Sequence, residues 1–149
     1  MNLTENIMQF YLANYFDIRR NIVVPNIYWG FLHYEADLVI CTPSGYLYEI
    51  EIKTTKNDLK QESKKKHNHV SKYFKKLYFA IPEKLLGYAF LIPLQAGIIT
   101  VSESGFCRKT KEAHNNLNIN PLKIEEKFNL ARLGTMRIWK LYRYLYIKK

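Results

Sequence analysis

The stretch Glu49-Ile50-Glu51-Ile52-Lys53 alternates charged residues with isoleucine. In a β-strand, side chains point to opposite faces with period two. The pattern therefore predicts a strand whose Ile50 and Ile52 face the core while Glu49, Glu51 and Lys53 line one polar edge. Fourteen positions before Glu51, Asp37 heads the apolar run Leu38-Val39-Ile40, and a Ser44-Gly45 turn lies between. Two adjacent strands joined by that turn bring Asp37 beside Glu51. An Asp, a Glu and a Lys converging on one point are enough to hold a divalent cation and activate a water. The plain alternative is a salt-bridged pair of surface strands.

A chain of 149 residues fits one domain, 1–149, with room for a real core. Hydrophobic residues make up 48% and charged residues 24%, which points to a globular rather than a disordered chain. No apolar run approaches the roughly eighteen residues of a membrane span. Met1-Asn2-Leu3-Thr4-Glu5 lacks the basic and apolar regions of a signal peptide. Cys41 and Cys107 are too few and too far apart for a disulfide framework, so a reducing cytoplasm is the expected location. Lys and Arg outnumber Asp and Glu by 23 to 13, a formal charge of +10. Such an excess favours polyanions, with nucleic acid the first candidate and an anionic membrane the second.

Outward from the central strands, the pattern predicts a helix over Asn2–Arg20, with Leu3, Ile7, Met8, Tyr11, Leu12, Tyr15 and Phe16 at helical spacing. A bent strand over Asn21–Trp29 follows, interrupted by Pro25. Strands over Glu35–Thr42 and Tyr46–Thr54 flank the turn. A polar helix starts at Asn57 or Asp58, crowded with Lys60, Lys64, Lys65, Lys66, Lys72, Lys75 and Lys76, and a compact apolar strand spans Leu77–Ile81. Glu83–Tyr88 reads as a short helix. Ala89–Leu94, Gly97–Ser102 and Phe106–Lys109 read as short strands. Lys111–Pro121 reads as a loop and Leu122–Ile147 as a long helix with no acid after Glu126. Helices and strands in this order predict a mixed α/β fold with a central sheet between helices.

Asp37 followed by Glu51-Ile52-Lys53 resembles the signature of the PD-(D/E)XK nuclease superfamily, with Ala36 in the place of the usual Pro. Glu35-Ala36-Asp37-Leu38-Val39, Glu49-Ile50-Glu51-Ile52-Lys53-Thr54-Thr55, Asp58-Leu59 and Tyr78-Phe79-Ala80-Ile81-Pro82 follow one another much as in its MmcB-like branch, which is associated with DNA repair. Pro93 and Ala96-Gly97-Ile98-Ile99 also fit, so the match runs from about Glu35 to Val101. The resemblance implies a restriction-endonuclease-like α/β fold, a central mixed β-sheet flanked by helices. Its core would span about 1–102, with the basic C-terminal helix, about 122–147, outside the match. It implies a Mg²⁺- or Mn²⁺-dependent DNA endonuclease or repair nuclease. Asp37 and Glu51 would be metal ligands, joined by the backbone carbonyl of Ile52, with Lys53 orienting the water or neutralising the phosphate. Such a cation prefers carboxylates, carbonyls and water. A non-cleaving DNA-binding module of the same fold is the alternative. A basic interaction protein, for RNA or a membrane surface, is a third reading, and the lack of an amphipathic lipid-binding segment counts against its membrane form.

Other residues are weighed beside these. Resolvase-like members of the superfamily carry an acid on the first helix that reaches the metal, which would make Glu5 a catalytic residue. A capping box with Asn2 explains Glu5 without catalysis. Glu49 offers an ExE variant of the motif, and Glu35 reads as surface charge. Lys64, Lys65, Lys66, His69, Lys72 and Tyr73 are the expected DNA contacts, with Gln61 a weaker one. His67, His69, Cys41 and Cys107 match no common zinc spacing. On the C-terminal helix, Trp139, Tyr142, Tyr144 and Tyr146 stand among basic residues, a pattern that can stack on bases or track a strand, but the favoured reading of the aromatics is core packing with snorkelling cations around them. A homodimer face there is the further expectation, because resolvase-like members often pair.

Overall fold

The computed structural model describes residues 2–28, 35–65 and 72–147. Its elements run α1 (Glu5–Tyr15), β1 (Ile22–Ile27), β2 (Ala36–Cys41), β3 (Leu47–Ile52), α2 (Lys56–Lys64), β4 (Phe74–Pro82), a 3-10 helix (Glu83–Leu91), β5 (Gly97–Val101), β6 (Cys107–Lys111) and α3 (Ile124–Tyr146). The six strands form one sheet in sequence order. β1, β2 and β3 are antiparallel neighbours; β4 and β5 join in parallel through α2 and the 3-10 helix; β6 closes the edge antiparallel. This is an α/β fold with a mixed sheet flanked by helices.

Both faces of the sheet are covered. α1 lays Met8 and Leu12 on Leu38, Ile40, Ile50, Ile52, Tyr78 and Ala80. On the opposite face, α3 places Leu130 over Val24, Val39, Cys41 and Leu47. Beside it, Leu59 of α2 and Leu85 of the 3-10 helix cover Leu77, Phe79 and Ile81. Parallel strands joined by crossovers bury both faces, which explains the unbroken apolar run of β4. Burying a side chain such as Phe79 stabilises by roughly 1.5–3 kcal/mol.

The turn between β2 and β3 requires its glycine. Gly45 has φ +91, and a Cβ there would sit 2.9 Å from Lys127 Cε and 3.0 Å from the Leu122 carbonyl oxygen. That contact fixes where α3 begins: Leu122 N donates to the Gly45 carbonyl at 2.9 Å, and Lys127 Nζ donates to the Pro43 carbonyl at 3.0 Å.

Four expectations are corrected. The segment Ala89–Leu94 is no strand: its first three residues finish the 3-10 helix, and Pro93 follows where a ladder would need an N–H. Lys75 and Lys76 lie on β4 rather than on the basic helix, which is capped by Thr55 with Asp58 as its capping-box partner and stops at Lys64. The acidic side of β3 is not an exposed polar edge. Glu49 and Glu51 are 1% and 7% exposed, and Glu62 of α2 reaches the adjoining Lys53 at 3.3 Å. The C-terminal aromatics do not pack in the core: Trp139, Tyr142, Tyr144 and Tyr146 are 66%, 51%, 79% and 74% exposed, since α3 outruns the strand beneath it.

Candidate functional site

β2 and β3 pair antiparallel with Leu38 opposite Ile50 and Val39 opposite Glu49. One step along the same register sets Asp37 opposite Glu51. Side chains of directly opposed residues share a face, with Cβ atoms about 5 Å apart. Asp37 Oδ2 accepts a hydrogen bond from Ile52 N at 2.7 Å, which locks the carboxylate against the end of β3. Lys53 continues the face of Glu51, and its Nζ lies 3.1 Å from Glu51 Oε2. The acid, the acid and the amine of the motif therefore meet at one corner of the sheet.

Their ionisation reflects this crowding. Burial, then the neighbouring charge of Glu51, pushes the Asp37 carboxyl up to about 7, against the Ile52 N–H and Lys53, which pull it down. Glu5 adds a smaller push in the same direction. Burial lowers the affinity of Lys53 for its proton, but Glu51, Glu62 and Asp37 more than reverse this. The ammonium thus holds its proton more tightly than an ordinary lysine.

Three residues at this corner escaped the sequence reading. Glu62 of α2 is buried and takes Lys53 Nζ at 3.3 Å and Lys65 Nζ at 2.9 Å. Its signal was helical spacing: Glu62 follows the core residue Leu59 by three positions and shares its face. Gln9 of α1 is buried, and its Nε2 donates to the Asp37 carbonyl at 2.8 Å and to Asn26 Oδ1 at 3.1 Å. Asn26 adopts φ 50, a left-handed conformation that asparagine tolerates better than most residues. No pattern in the sequence announces a kink that depends on a partner from another helix.

Glu5 changes its reading. α1 is capped by Thr4, whose side chain accepts from Ile7 N. Asn2 is not the cap, and Glu5 is the first helical residue rather than a capping-box partner. Its Oε1 instead accepts from Asn26 Nδ2 at 3.5 Å, beside the strand position that faces Asp37.

The expected DNA contacts divide. Lys64, Lys65 and Lys72 are exposed at the end of α2 and just before β4, although Lys65 is engaged with Glu62. Tyr73 is half-buried and packs against the cluster under α3. Lys66 and His69 lie outside the described residues, as does His67. Gln61 and Glu35 are exposed. Cys41 and Cys107 are free and buried, and burial pushes both thiols up, Cys107 to about 11. Neither is poised as a thiolate.

Among the described residues, no three His, Cys, Asp or Glu side chains group closely enough to ligate one ion. Asp37 and Glu51 supply two carboxylates, and the Ile52 peptide adjoins them. That donor set is oxygen-only and suits a hard divalent cation with water in its remaining positions. A cation between the two acids would also offset the Glu51 charge that adds to burial in raising Asp37.

No family model matches the chain, and no curated protein does. Among solved structures, the chain is similar to the SPO1766 protein of unknown function from Silicibacter pomeroyi. The TM-score is 0.67 at 14% identity, over 97% of this chain and 93% of that one. This likeness concerns the fold alone. Among the described residues, no helix is long and apolar enough to cross a membrane.

Proposed function

We propose that the protein is a Mg²⁺- or Mn²⁺-dependent DNA endonuclease or repair nuclease of the PD-(D/E)XK type. The observation that carries this is the buried corner where Asp37 stands opposite Glu51 with Lys53 Nζ 3.1 Å from the Glu51 carboxylate. Two facing carboxylates there share one ammonium, and a further cation would offset the charge left over. A nuclease site needs such a pair.

When bound, the metal supplies a more acidic water and offsets charge on the leaving oxygen. Asp37 and Glu51 would hold it, joined by the backbone carbonyl of Ile52. Asp37 is already oriented by the Ile52 N–H, so little side-chain freedom remains to be lost on binding. Lys53 keeps its proton firmly and provides a fixed positive charge beside the scissile phosphate, where it orients the water or neutralises the phosphate. Glu62 holds that ammonium from the other side. Exposed Lys64 and Lys72 track the DNA backbone.

The test is cleavage of branched, single-stranded and duplex DNA with Mg²⁺ or Mn²⁺, comparing the wild type with Lys53→Ala. Cutting by the wild type that the variant lacks is the expected result. Equal binding with no cutting by either protein would replace this reading with the non-cleaving DNA-binding module.

A further inference from the structure

α3 is two different helices end to end. Its first half lies on β1: Leu130 is fully buried, Gly134 sits where a Cβ would meet Val24 Cγ2 at 3.2 Å, and the Arg137 guanidinium donates to the Asn26 carbonyl. These contacts order the helix along the strand. It starts at the Gly45 turn, passes Val24, and reaches Asn26, the β1 residue that faces Asp37. Beyond Arg137 every residue to Ile147 is exposed. At 1.5 Å per residue, the helix projects about 14 Å past the strand end that carries the acids.

The projecting half has a distinct chemistry. Trp139, Tyr142 and Tyr146 recur at helical spacing on the side away from the sheet, in line with exposed Phe128. Their rings form a ladder, with centroids 5.8 Å apart from Trp139 to Tyr142 and 5.5 Å from Tyr142 to Tyr146. By helical spacing Arg132 and Arg143 lie along one side of the stripe and Lys140 lies further round the helix on that side, while the chain carries seven Lys or Arg and no acid after Glu126. A surface for a second copy of this chain would gain from acids to meet those cations. A polyanion with flat, unpaired bases matches both features at once, because aromatic faces stack on bases while cations track phosphates.

We infer that the projecting half of α3 binds single-stranded nucleic acid, with bases stacking on Trp139, Tyr142 and Tyr146 and phosphates held by Lys140 and Arg143, joined by Arg132 from the docked half. The inference builds on the nuclease reading, in that the strand held there is delivered to the corner of Asp37 and Glu51. The substrate class is then DNA with an unpaired segment, such as a flap, a fork or a single-stranded tail, rather than plain duplex.

The experiment measures binding without cutting. Full-length protein in EDTA is titrated against a labelled oligothymidylate of about 20 nucleotides and against a duplex of equal length, by fluorescence anisotropy. The wild type is expected to prefer the single strand. Trp139→Ala with Tyr142→Ala should weaken that binding at least tenfold and leave the duplex nearly unchanged. Both side chains are exposed, so the fold should survive, as circular dichroism would verify. Lys140→Ala with Arg143→Ala should weaken both probes and flatten the salt dependence. Unchanged single-strand binding by the aromatic variant would overturn the inference, and so would a preference for duplex. So would a dimer, seen by sedimentation, that the aromatic variant dissolves, since the stripe would then face a second copy. Stacking in EDTA with no cleavage in Mg²⁺ or Mn²⁺ would keep this inference and sink the nuclease. Cleavage with no aromatic dependence would do the reverse.

Discussion

Two charged clusters on the same sheet use similar side chains and reach opposite states. At the β2–β3 corner, carboxylates crowd together, and burial with Glu51 drives Asp37 up to about 7. At the β4–β6 surface, Glu112 meets Lys76 at 2.8 Å and also takes hydrogen bonds from Lys109 and Tyr78. Slight burial works against it there, but the donors of Lys109, Lys76 and Tyr78 hold Glu112 down to about 2. Donors outnumber the acid at the surface, so the charge is satisfied. Acids crowd one another in the buried corner, so the charge there is held at a cost. An arrangement that costs stability in isolation is the kind that a bound cation turns to use.

The largest expected effects break the corner outright. Asp37→Ala and Lys53→Ala should each lower DNA cleavage by about 100-fold or more, the scale of losing one electrostatic contact to a transition state. Divalent metal should raise the melting temperature of the wild type and not of Asp37→Ala. A metal-induced shift that survives in Asp37→Ala would place the cation elsewhere.

Glu62→Gln comes next. It removes a buried carboxylate shared by Lys53 and Lys65 and should cost about 2–4 kcal/mol in chemical denaturation. A loss under about 0.5 kcal/mol would show that Glu51 alone holds the Lys53 ammonium.

Asp37→Asn sharpens the contrast through pH. The Asp37 carboxyl is raised from 3.8 to about 7 on folding. Between those values the folded state keeps a proton that the unfolded chain releases. Its contribution to stability is therefore greatest below about pH 4 and declines as pH rises to about 7. Asn keeps an acceptor for the Ile52 N–H and carries no charge. The metal-free variant should be more stable than the wild type by about 1–3 kcal/mol at pH 8, with the difference gone at pH 4. Equal stability of the two proteins at pH 8 would mean that the corner is not strained.

The smallest effect belongs to the surface cluster. Glu112→Gln should cost under about 1 kcal/mol at pH 7 and less in high salt, because Glu112 is largely in solvent. Its folded value is depressed, so what it contributes is present above about pH 4.5 and disappears as pH falls toward 2. A cost as large as that of Glu62→Gln would erase the distinction between the clusters.

Period-two alternation in Glu49–Lys53, the Ser44-Gly45 turn and the place of Asp37 at the head of an apolar run were enough to bring Asp37, Glu51 and Lys53 together. Each is a local rule, and the antiparallel register converts local spacing into contact. The order of most elements was equally plain. Alternation separates two faces but does not say whether the polar one meets water, so the burial of Glu49 and Glu51 was beyond its reach. Helical spacing in α3 likewise set Trp139 and Tyr142 among packed apolar positions and missed that no strand lies beneath them.

The sequence by itself determined which residues share a strand face and hence that two acids and an amine meet. Tertiary structure alone decided that those acids are buried with Glu62 of α2 beside their lysine, that Gln9 and Asn26 brace the strand opposite, that Glu5 is relieved of its capping duty, and that α3 runs past the sheet. The physical reason is range. Backbone sterics and period act between neighbours in the chain, whereas desolvation depends on what packs above a side chain from far along it.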